Sequence, residues 1–359
     1  MRFNAAVPVA PKTRGTWAEA HRDSPGKGKN RARFVPKGRQ VAYDQSMNLL
    51  AAMRYLVALD QHRHFGRAAQ ACHITQPALS SALRALEEEF GVAIIQRSRA
   101  YGGLTPEGEA VLASARRMLR EVELLTQELE STADSPRGPL RMAAVPTAAP
   151  LLTVFAAMLR HRHPGIVPTV LEMSSPDIEA QLEDLSVDLA LGYLERLDGQ
   201  GSRFRSWPQA HERYYFLRRR SGKLGKTLHF GSPITWSEAG THALCQLTPD
   251  MHNRAIIDGA LASIGITSTP ALVTNSPLAV VLSVSVGDVC AILPGDMVAA
   301  VRGKAELEAL PLVEPEIRTP IGFIARADDR PSRTIQAALR LMASTEWTAA
   351  LERNAAESG

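Results

Sequence analysis

Residues 62–108 read HRHFGRAAQACHITQPALSSALRALEEEFGVAIIQRSRAYGGLTPEG and predict two short helices separated by a tight turn. The apolar residues of the first helix recur with a helical period: Phe65, Ala68, Ala69 and Cys72. Those of the second helix do the same: Leu79, Ala82, Leu83, Leu86 and Phe90. Thr75 stands where it can cap the second helix, and Pro77 lies in its first turn. Together with a helical period that starts at Leu49, this pattern predicts a helix-turn-helix domain.

The second of these helices carries compact hydrogen-bonding side chains on the side opposite its apolar residues. Amides, hydroxyls and guanidinium groups can bond to base edges and phosphates in the major groove of DNA, whereas a merely solvated helix more often shows Glu and Lys. The predicted DNA-binding residues of this helix and its cap are Thr75, Gln76, Pro77, Ser80, Ser81 and Arg84.

A small β-hairpin, or wing, is predicted after this helix. It would run from Val92 to Leu104, and two arginines within it, Arg97 and Arg99, are placed to contact DNA phosphates. Residues 47–105 contain six arginines against four acidic residues. This small excess of positive charge suits a domain that needs two or more copies to bind DNA with high affinity.

A long helix is predicted from Thr105-Pro106-Glu107 to Glu130. Its apolar residues alternate in steps of four and three, the heptad spacing with which two helices wind together: Val111, Ala115, Met118, Val122, Leu125 and Leu129. We therefore predict a linker helix that forms a homodimer. Packing of this stripe against the chain's own body is the alternative.

The order of these motifs resembles the winged helix-turn-helix of the LysR-type transcriptional regulators. The resemblance rests on Phe65-x-x-Ala68-Ala69, Gln76-Pro77-Ala78-Leu79-Ser80, Leu86-Glu87, Phe90-Gly91 and Leu104-Thr105-Pro106-Glu107-Gly108. It implies a multidomain α/β protein with an N-terminal winged helix-turn-helix, a long dimerisation helix and a C-terminal two-lobed α/β effector domain of the type 2 periplasmic-binding-protein kind. The implied partners are double-stranded promoter DNA, a small-molecule effector, RNA polymerase and further copies of the chain in a dimer or tetramer.

The second half of the chain alternates strand and helix signals, which predicts a parallel sheet with crossover helices. The expected domains are a winged helix-turn-helix at 47–104, a linker helix at 105–134 and an effector domain at 138–359. By the resemblance, one lobe would comprise 138–209 with 317–359, and the other 212–314. The two crossovers between the lobes are expected at Pro208–Glu212 and Pro311–Pro320.

Three stretches place a hydroxyl beside a helix start that follows a strand: PTAAP at 146–150, SSP at 174–176 and NSP at 275–277. Each could be ordinary capping, but free N–H groups and the helix dipole also favour an anion there. Because the positions match the family's effector pocket, we predict that all three converge on the inter-lobe cleft and bind a small carboxylate or similar anion. The predicted effector-binding residues are Thr147, Ser174, Ser175, Thr248, Arg254, Asn275 and Ser276, with Arg254 as a counter-charge.

The first 46 residues are rich in Pro, Gly and basic residues and lack a sustained apolar period, which predicts disorder. Residues 1–40 contain ten Lys or Arg against two acidic residues, so this segment accounts for the net charge of +4. It is either a basic arm that strengthens DNA binding or an extension upstream of a true start at Met47. We favour the second interpretation.

Composition and motifs exclude several other classes. The chain is 45% apolar without a run long enough to span a membrane, and we recognise no secretory signal, so we expect a protein of the bacterial cytoplasm, associated with the nucleoid. Motifs for catalysis, metal binding or phosphate binding are missing, and we predict no cofactor, no metal and no enzyme activity. The alternative is an α/β enzyme or a solute-binding protein whose helix-turn-helix does not function.

The resemblance also includes the peroxide-sensing branch of the family, through His62-Arg63-His64-Phe65 and Ala71-Cys72-His73. That branch switches by forming a disulfide in its second lobe, and this chain has Met251-His252-Asn253-Arg254 where the reactive cysteine lies. Cys245 and Cys290 stand on apolar runs typical of inert buried thiols. We therefore predict that this chain does not sense peroxide.

Overall fold

The structure is a computed structural model that describes residues 48–96, 101–131, 135–197, 203–222, 225–327 and 331–356, with the backbone alone at 354–356. The predicted N-terminal extension, residues 1–46, lies outside these ranges. No helix in the described ranges is long and apolar enough to cross a membrane. The same ranges contain no group of three or more His, Cys, Asp or Glu side chains that could hold a metal ion.

Three helices open the described chain: α1 (Leu49–His62), α2 (Phe65–Ala71) and α3 (Gln76–Phe90). The hydroxyl of Thr75 caps α3 by accepting a hydrogen bond from the N–H of Ala78 at 3.4 Å. Gly91 ends α3 with a φ of 66°, a left-handed conformation that glycine adopts without strain. The apolar sides of the three helices share one core: Leu56, Leu59, Ala68, Ala69, Leu79, Leu83 and Leu86. The predicted helix-turn-helix domain is confirmed.

The predicted wing follows α3, and its base is tied to that helix. Ile95 and Leu104 form an antiparallel bridge, and Glu87 Oε1 accepts hydrogen bonds from the N–H groups of Ile94 and Ile95 at 2.8 and 3.1 Å. Residues 97–100 are outside the described ranges, so the positions of the two arginines predicted at the wing, 97 and 99, are not described.

The long helix α4 (Pro106–Glu130) begins where the sequence predicts it. Thr105 Oγ1 accepts a hydrogen bond from the N–H of Gly108 at 2.9 Å and donates one to the carbonyl of Ala93 at 2.6 Å. A Cβ at Gly108 would lie 2.1 Å from the carbonyl oxygen of Ile94, so this position needs glycine. These contacts fix the angle at which α4 leaves the wing.

The heptad stripe of α4 is divided between the chain and solvent. Ala115 is fully buried, and Val111 and Val122 are half-buried. Three others are exposed: Met118 by 44%, Leu125 by 57% and Leu129 by 77%. The alternative of packing on the chain's own body therefore holds for Val111, Ala115 and Val122, while Met118, Leu125 and Leu129 present apolar surface to solvent.

The C-terminal domain contains the remaining helices and strands. In chain order they are β1 (Gly138–Ala144), α5 (Ala149–Arg162), β2 (Ile166–Glu172), α6 (Ser175–Glu183), β3 (Leu189–Tyr193), β4 (Phe204–Glu212), β5 (Tyr214–Arg219), β6 (His229–Phe230), β7 (Ile234–Thr235), α7 (Trp236–Ala239), β8 (Cys245–Leu247), α8 (His252–Ser263), β9 (Leu272–Thr274), α9 (Pro277–Val286), β10 (Ala291–Pro294), α10 (Gly295–Ala300), β11 (Leu307–Val313), β12 (Thr319–Arg326), α11 (Arg333–Met342) and α12 (Thr345–Ala356). Short 3₁₀ turns lie at Pro146–Ala148 and Leu194–Leu197.

Two sheets organise this domain, and we call the parts built on them the first and second lobe. The first sheet has the order β2-β1-β3-β12-β4, and the second has the order β10-β5-β11-β6, with β7 paired to β11. The strands β8 and β9 form a separate parallel pair. Each lobe encloses its own apolar core, centred on residues such as Phe155 and Phe323 in the first and Leu217 and Leu293 in the second.

The prediction of a parallel sheet is only partly right. β1 is parallel to β2 and β3, but β12 is antiparallel to both β3 and β4, and β5 is antiparallel to β10 and β11. The reason is that β12 returns to the first lobe from the second. The apolar pattern of a strand does not show whether it runs parallel or antiparallel to its neighbours.

The first predicted crossover is displaced, and the second lies inside the range predicted for it. β4 extends to Glu212 and β5 starts at Tyr214, which leaves Arg213 as the first crossing, and residues 314–318 form the second. Pro208 lies inside β4 instead of in a crossover. Because β4 is an edge strand with a register shift opposite Ile321 and Gly322, it tolerates a proline that a central strand would reject.

Candidate DNA interface and ligand cavity

The polar side of α3 faces away from the core, as predicted. Gln76, Ser81 and Arg84 are exposed, and Ser80 is half-buried. Thr75 and Pro77, at the start of the helix, are exposed as well. The six predicted residues on and before α3 therefore lie on one accessible surface, which we call the α3 surface.

Two of the hydroxyl-bearing stretches meet at a cavity between the lobes. Thr147 lies in the turn that precedes α5, and Ser174 and Ser175 lie at the start of α6. The cavity has a volume of about 10 Å³, room for about one water molecule, and is lined by Val145, Pro146, Thr147, Ser174, Ser175, Tyr193, Leu247, Met251, His252 and Asn253. This volume is far below that of most ligand pockets, about 300–1,000 Å³, so a ligand fits here only if the two lobes move apart.

A hydrogen-bond network connects the two walls of the cavity. The hydroxyls of Thr147 and Tyr193 lie 3.0 Å apart, and Asn253 Nδ2 donates to the Tyr193 oxygen at 3.4 Å. Ser174 caps α6, because its hydroxyl accepts from the N–H of Asp177 while donating to the carboxylate of the same residue at 2.6 Å. Burial raises the pKa of Tyr193 well above its ordinary value, so the phenol stays protonated.

Two polar atoms at the cavity have no hydrogen-bond partner in the described part of the chain. They are the hydroxyl oxygen of Ser175 and the amide oxygen of Asn253, in residues that are 5% and 3% exposed. Buried polar atoms are nearly always bonded, so these two are candidates for contact with a ligand or a water molecule.

A buried carboxyl lies close to the same network. Glu212, the last residue of β4, is 5% exposed, and neither side-chain oxygen has a hydrogen-bond partner in the described part of the chain. Burial raises the pKa of Glu212 well above its ordinary value, and the nearby charge of Asp296 raises it further. Burial thus favours the protonated, neutral form of this carboxyl beside the first crossing between the lobes.

The third predicted stretch does not reach the cavity. Ser276 caps α9 by accepting from the N–H of Ala279 at 3.4 Å, and Asn275 is exposed. Thr248 lies next to the lining residue Leu247, but its N–H bonds to the carbonyl of Thr274 at 3.0 Å. Asn275 and Ser276 follow β9, which pairs with β8 at Thr274 and Leu247, and neither residue lines the cavity.

Arg254 is not available as a counter-charge in this structure. Its Nε bonds to Asp258 Oδ2 at 2.7 Å, and its Nη1 donates to the carbonyl of Leu247 at 3.1 Å. None of the ten lining residues is Lys or Arg. The guanidinium is held by its i,i+4 partner on the same helix and by the carbonyl of the lining residue Leu247.

Three polar cavity residues were missed by the sequence analysis: Tyr193, His252 and Asn253. Tyr193 is the last residue of β3, a strand in which every residue is buried. This position at the carboxyl end of a strand was the one sequence signal that could have identified it. His252 starts α8, where its Nε2 lies 2.8 Å from Glu195 Oε1 and its ring packs against that of Tyr193 with the centroids 5.0 Å apart and the planes tilted by 56°.

The cysteines of the second lobe lie on opposite sides of their strands. Cys245 belongs to one apolar cluster of the lobe, and Cys290 packs against the other. Their backbones are adjacent, since the N–H of Cys245 bonds to the carbonyl of Cys290 at 2.8 Å, but a disulfide needs both side chains on one face. Burial raises the pKa of both thiols, which disfavours the reactive thiolate.

The fold therefore joins a winged helix-turn-helix to a two-lobed α/β domain with a cavity between its lobes, as in ligand-responsive transcription regulators. Residues 50–109 match the family model of the bacterial regulatory helix-turn-helix protein, lysR family, and residues 133–346 match the model of the LysR substrate binding domain. The second match alone covers more than half of the chain. The chain belongs to the LysR family of transcription regulators.

Similar curated proteins include peroxide-responsive regulators. The hydrogen peroxide-inducible genes activator of Pectobacterium carotovorum subsp. carotovorum and the DNA-binding transcriptional dual regulator OxyR of Escherichia coli strain K12 are each 36% identical to this chain over 140 residues. The alignment covers 39% of this chain and 46% of each relative, so it spans about half the length of those proteins. The probable HTH-type transcriptional regulator LrrA of Synechococcus elongatus is 30% identical over 191 residues, which are 53% of this chain and 62% of LrrA.

Solved structures of the family share the fold. A variant of full-length OxyR from Pseudomonas aeruginosa gives a TM-score of 0.61 at 23% identity and covers 82% of this chain and 97% of that one. Full-length CbnR complexed with its target DNA gives a TM-score of 0.57 at 21% identity, with 81% and 99% covered. These relatives and structural neighbours are transcription regulators.

Proposed function

We propose that this chain controls transcription by binding promoter DNA through the α3 surface, in response to a small molecule held in the cavity between the lobes. The observation that carries this proposal is the division of α3 into two sides. Leu79 and Leu86 are fully buried, whereas Gln76, Ser81 and Arg84 are exposed. A helix that exposes polar side chains in this way fits the major groove of DNA.

The residues of the α3 surface would have different roles. Arg84 can donate two hydrogen bonds to a guanine edge, and the Gln76 amide can pair with adenine. The hydroxyls of Ser80 and Ser81 reach base edges or phosphates, while Thr75 and Pro77 set the start of the helix. Arg97 and Arg99 would bind phosphates at the wing, which fixes register without reading sequence.

Two copies of the chain would present two such surfaces. Met118, Leu125 and Leu129 leave an exposed apolar stripe on α4, and a partner helix with the same stripe would cover it. Further pairing of dimers into a tetramer belongs to the same proposal. The domain boundaries that we propose are 47–104, 105–134 and 138–359, with the two crossings at Arg213 and 314–318.

The ligand of the cavity would be small and polar. The hydroxyl of Ser175 and the amide oxygen of Asn253 are hydrogen-bonding atoms at the cavity that have no partner in the described part of the chain. A small carboxylate stays our prediction, although the lining offers it no Lys or Arg. Matched pairs of carboxylic acids and their primary amides, compared by thermal shift with the full chain, would separate an anion site from a neutral one.

Control through a cysteine disulfide is not part of this proposal. The relatives named as peroxide-inducible activators match about half of their length here, and the two cysteines of the second lobe lie on opposite faces. The proposed signal is ligand occupancy. It would change the closure of the lobes, and thereby the placement of the paired helix-turn-helix domains, the bend of the DNA and the recruitment of RNA polymerase at the nucleoid.

The proposal is tested by selecting duplexes from a randomised library with the full-length chain and measuring their affinity by gel shift. We expect enrichment of one motif with two half-sites, because a dimer reads each half-site once. The absence of any enriched duplex would favour the alternative of an α/β enzyme or solute-binding protein with a non-functional helix-turn-helix.

A further inference from the structure

Arg116, near the middle of α4, bonds to two domains at once. Its Nη2 lies 2.8 Å from Asp60 Oδ2 in α1, and its Nη1 lies 2.5 Å from Asp184 Oδ2 at the end of α6. The three side chains are 14%, 9% and 30% exposed, so solvent screens these pairs only in part. The planar guanidinium offers separate N–H groups to the two carboxylates in a fixed geometry, whereas a lysine would present its donors on a flexible stem.

Asp184 is fixed to the last turn of α6. It is the C-cap residue, and its Oδ1 accepts a hydrogen bond from the N–H of Ser186 at 2.9 Å, which leaves Oδ2 for Arg116. Leu185 between them has a φ of 64°, so the chain turns sharply directly after the helix. The carboxylate therefore moves with α6.

The opposite end of α6 borders the cavity. Ser174 caps the helix and Ser175 is its first residue, and both line the cavity. A helix of nine residues spans roughly 13 Å and moves as a rigid unit over this length. A ligand that displaces Ser175 would therefore also displace Asp184.

The contacts continue beyond Arg116 toward the wing. Asp60 Oδ1 lies 2.9 Å from Arg63 Nη2, and the Arg63 guanidinium stands 5.8 Å from the centre of the Tyr101 ring. Tyr101 also packs edge-on against Phe65, the first residue of α2, at 6.1 Å. A series of contacts thus leads from Arg116 through Asp60 and Arg63 to Tyr101 at the wing and to α2, the helix that precedes α3.

We propose that Arg116 is a positioning residue that couples the cavity to the DNA-binding surface, with α6 as the rigid element between Ser175 and Asp184. A shift of α6 changes the Asp184–Arg116 pair, and Arg116 transmits the change to Asp60 and the wing. This inference rests on the proposed function, since it assumes that the α3 surface binds DNA.

Because the coupling between two sites is reciprocal, DNA itself can serve as the probe. The full chain is studied with and without a duplex enriched from the randomised library, and amide hydrogen exchange is measured by mass spectrometry on peptides that cover residues 174–183. In the wild-type chain, we expect DNA to change the exchange rate of α6 by about 5-fold or more, the lower end of typical allosteric coupling.

Three variants separate coupling from simple structural support. Asp184→Asn removes the charge that faces Arg116 but keeps an oxygen for the N–H of Ser186, so we expect a folded chain whose α6 no longer responds to DNA. Asp184→Glu keeps the charge and should keep the response. Arg117→Gln is the matched control, because Arg117 is the next residue and bonds to Ser114 within α4.

The possible outcomes are distinct. If the wild-type chain binds the duplex but α6 does not respond, or if Asp184→Asn responds like the wild type, the inference is wrong and the proposed function stands. If no duplex is enriched, both are wrong. Should Asp184→Asn not fold, Arg116→Gln gives the same test, since its neutral side chain forms neither ion pair, and a full response in that variant would overturn the inference.

Discussion

Asn253 donates a hydrogen bond from Nδ2 to the hydroxyl of Tyr193 at 3.4 Å, and this bond joins the two lobes of the C-terminal domain. Tyr193 ends β3 in the first lobe, while Asn253 lies in α8, which packs in the second. The same hydroxyl lies 3.0 Å from Thr147 Oγ1. One phenol oxygen therefore connects both walls of the cavity.

Tyr193→Phe should destabilise the chain by about 1–3 kcal/mol, because it leaves buried polar groups of Thr147 and Asn253 without a partner. Urea unfolding of the full chain measures this loss. Tyr55→Phe is the control, since Tyr55 is a half-buried residue of α1 remote from the cavity. Equal stabilities of the two variants would contradict a structural role for the Tyr193 hydroxyl.

The two neighbouring serines at the start of α6 should behave differently. Ser174→Ala removes a helix cap and should cost about 1 kcal/mol of unfolding free energy. Ser175→Ala removes a buried hydroxyl without a partner and should leave the stability unchanged or raise it. Ser175→Ala should nevertheless abolish the thermal shift by any compound that stabilises the wild type, and a retained shift would exclude Ser175 from the ligand site.

Arg84→Ala should weaken binding to an enriched duplex by about 1–3 kcal/mol through the loss of a base or phosphate contact. Arg54→Ala is matched in charge and removes an exposed arginine of α1 instead. Fluorescence anisotropy at one fixed salt concentration compares the two variants. If both lose the same affinity, the α3 surface has no special role.

Leu125→Glu should shift the chain from dimer toward monomer, because it places a charge in the exposed stripe of α4. Thr126→Glu, on the neighbouring exposed side of the same helix, should leave the dimer intact. Sedimentation velocity reports the mass of each species. A dimer that persists in Leu125→Glu would mean that another surface holds the copies together.

Glu212→Gln should change how stability depends on pH. Burial raises the pKa of Glu212 in the folded chain above the ordinary value of about 4.5, so the folded state retains a proton that the unfolded state has lost. The wild type therefore loses stability as the pH rises from the ordinary pKa toward the folded one.

The glutamine variant lacks this loss, and its stability relative to the wild type should increase with pH. Urea unfolding at several pH values measures the difference. Glu88→Gln, at an exposed position of α3, is the control. A difference between the Glu212→Gln chain and the wild type that does not change with pH would show that Glu212 is not held protonated.

The helix-turn-helix could be predicted because its information is local. Thr75, Gly91 and Thr105 mark helix ends with side chains or conformations that act within a few residues. The apolar period then assigns the buried side of α3, and the polar side follows from it. The directions of β5 and β12 were not predictable in this way, because both strands are apolar and their partners lie far away in the chain.

The cavity was predictable in part. Thr147 and Ser175 were found because they follow strands of the same sheet, and the carboxyl ends of parallel strands meet at one edge. Ser276 has the same local pattern, but its strand belongs to the separate pair of β8 and β9. Arg254 was misjudged because the sequence does not show whether a guanidinium turns to the cavity or to Asp258.

The order of residues along the chain was enough to specify where helices begin and end, which of their sides are apolar, and which polar groups remain on α3, since caps and periods act over one or two turns. Which of these groups meet in space was decided by the tertiary structure. Tyr193, Asn253 and Glu212 come together, and Arg116 reaches both Asp60 and Asp184, because the packing of sheets and helices brings distant residues into contact. No local pattern in the sequence records such contacts, since they depend on the packing of the whole fold.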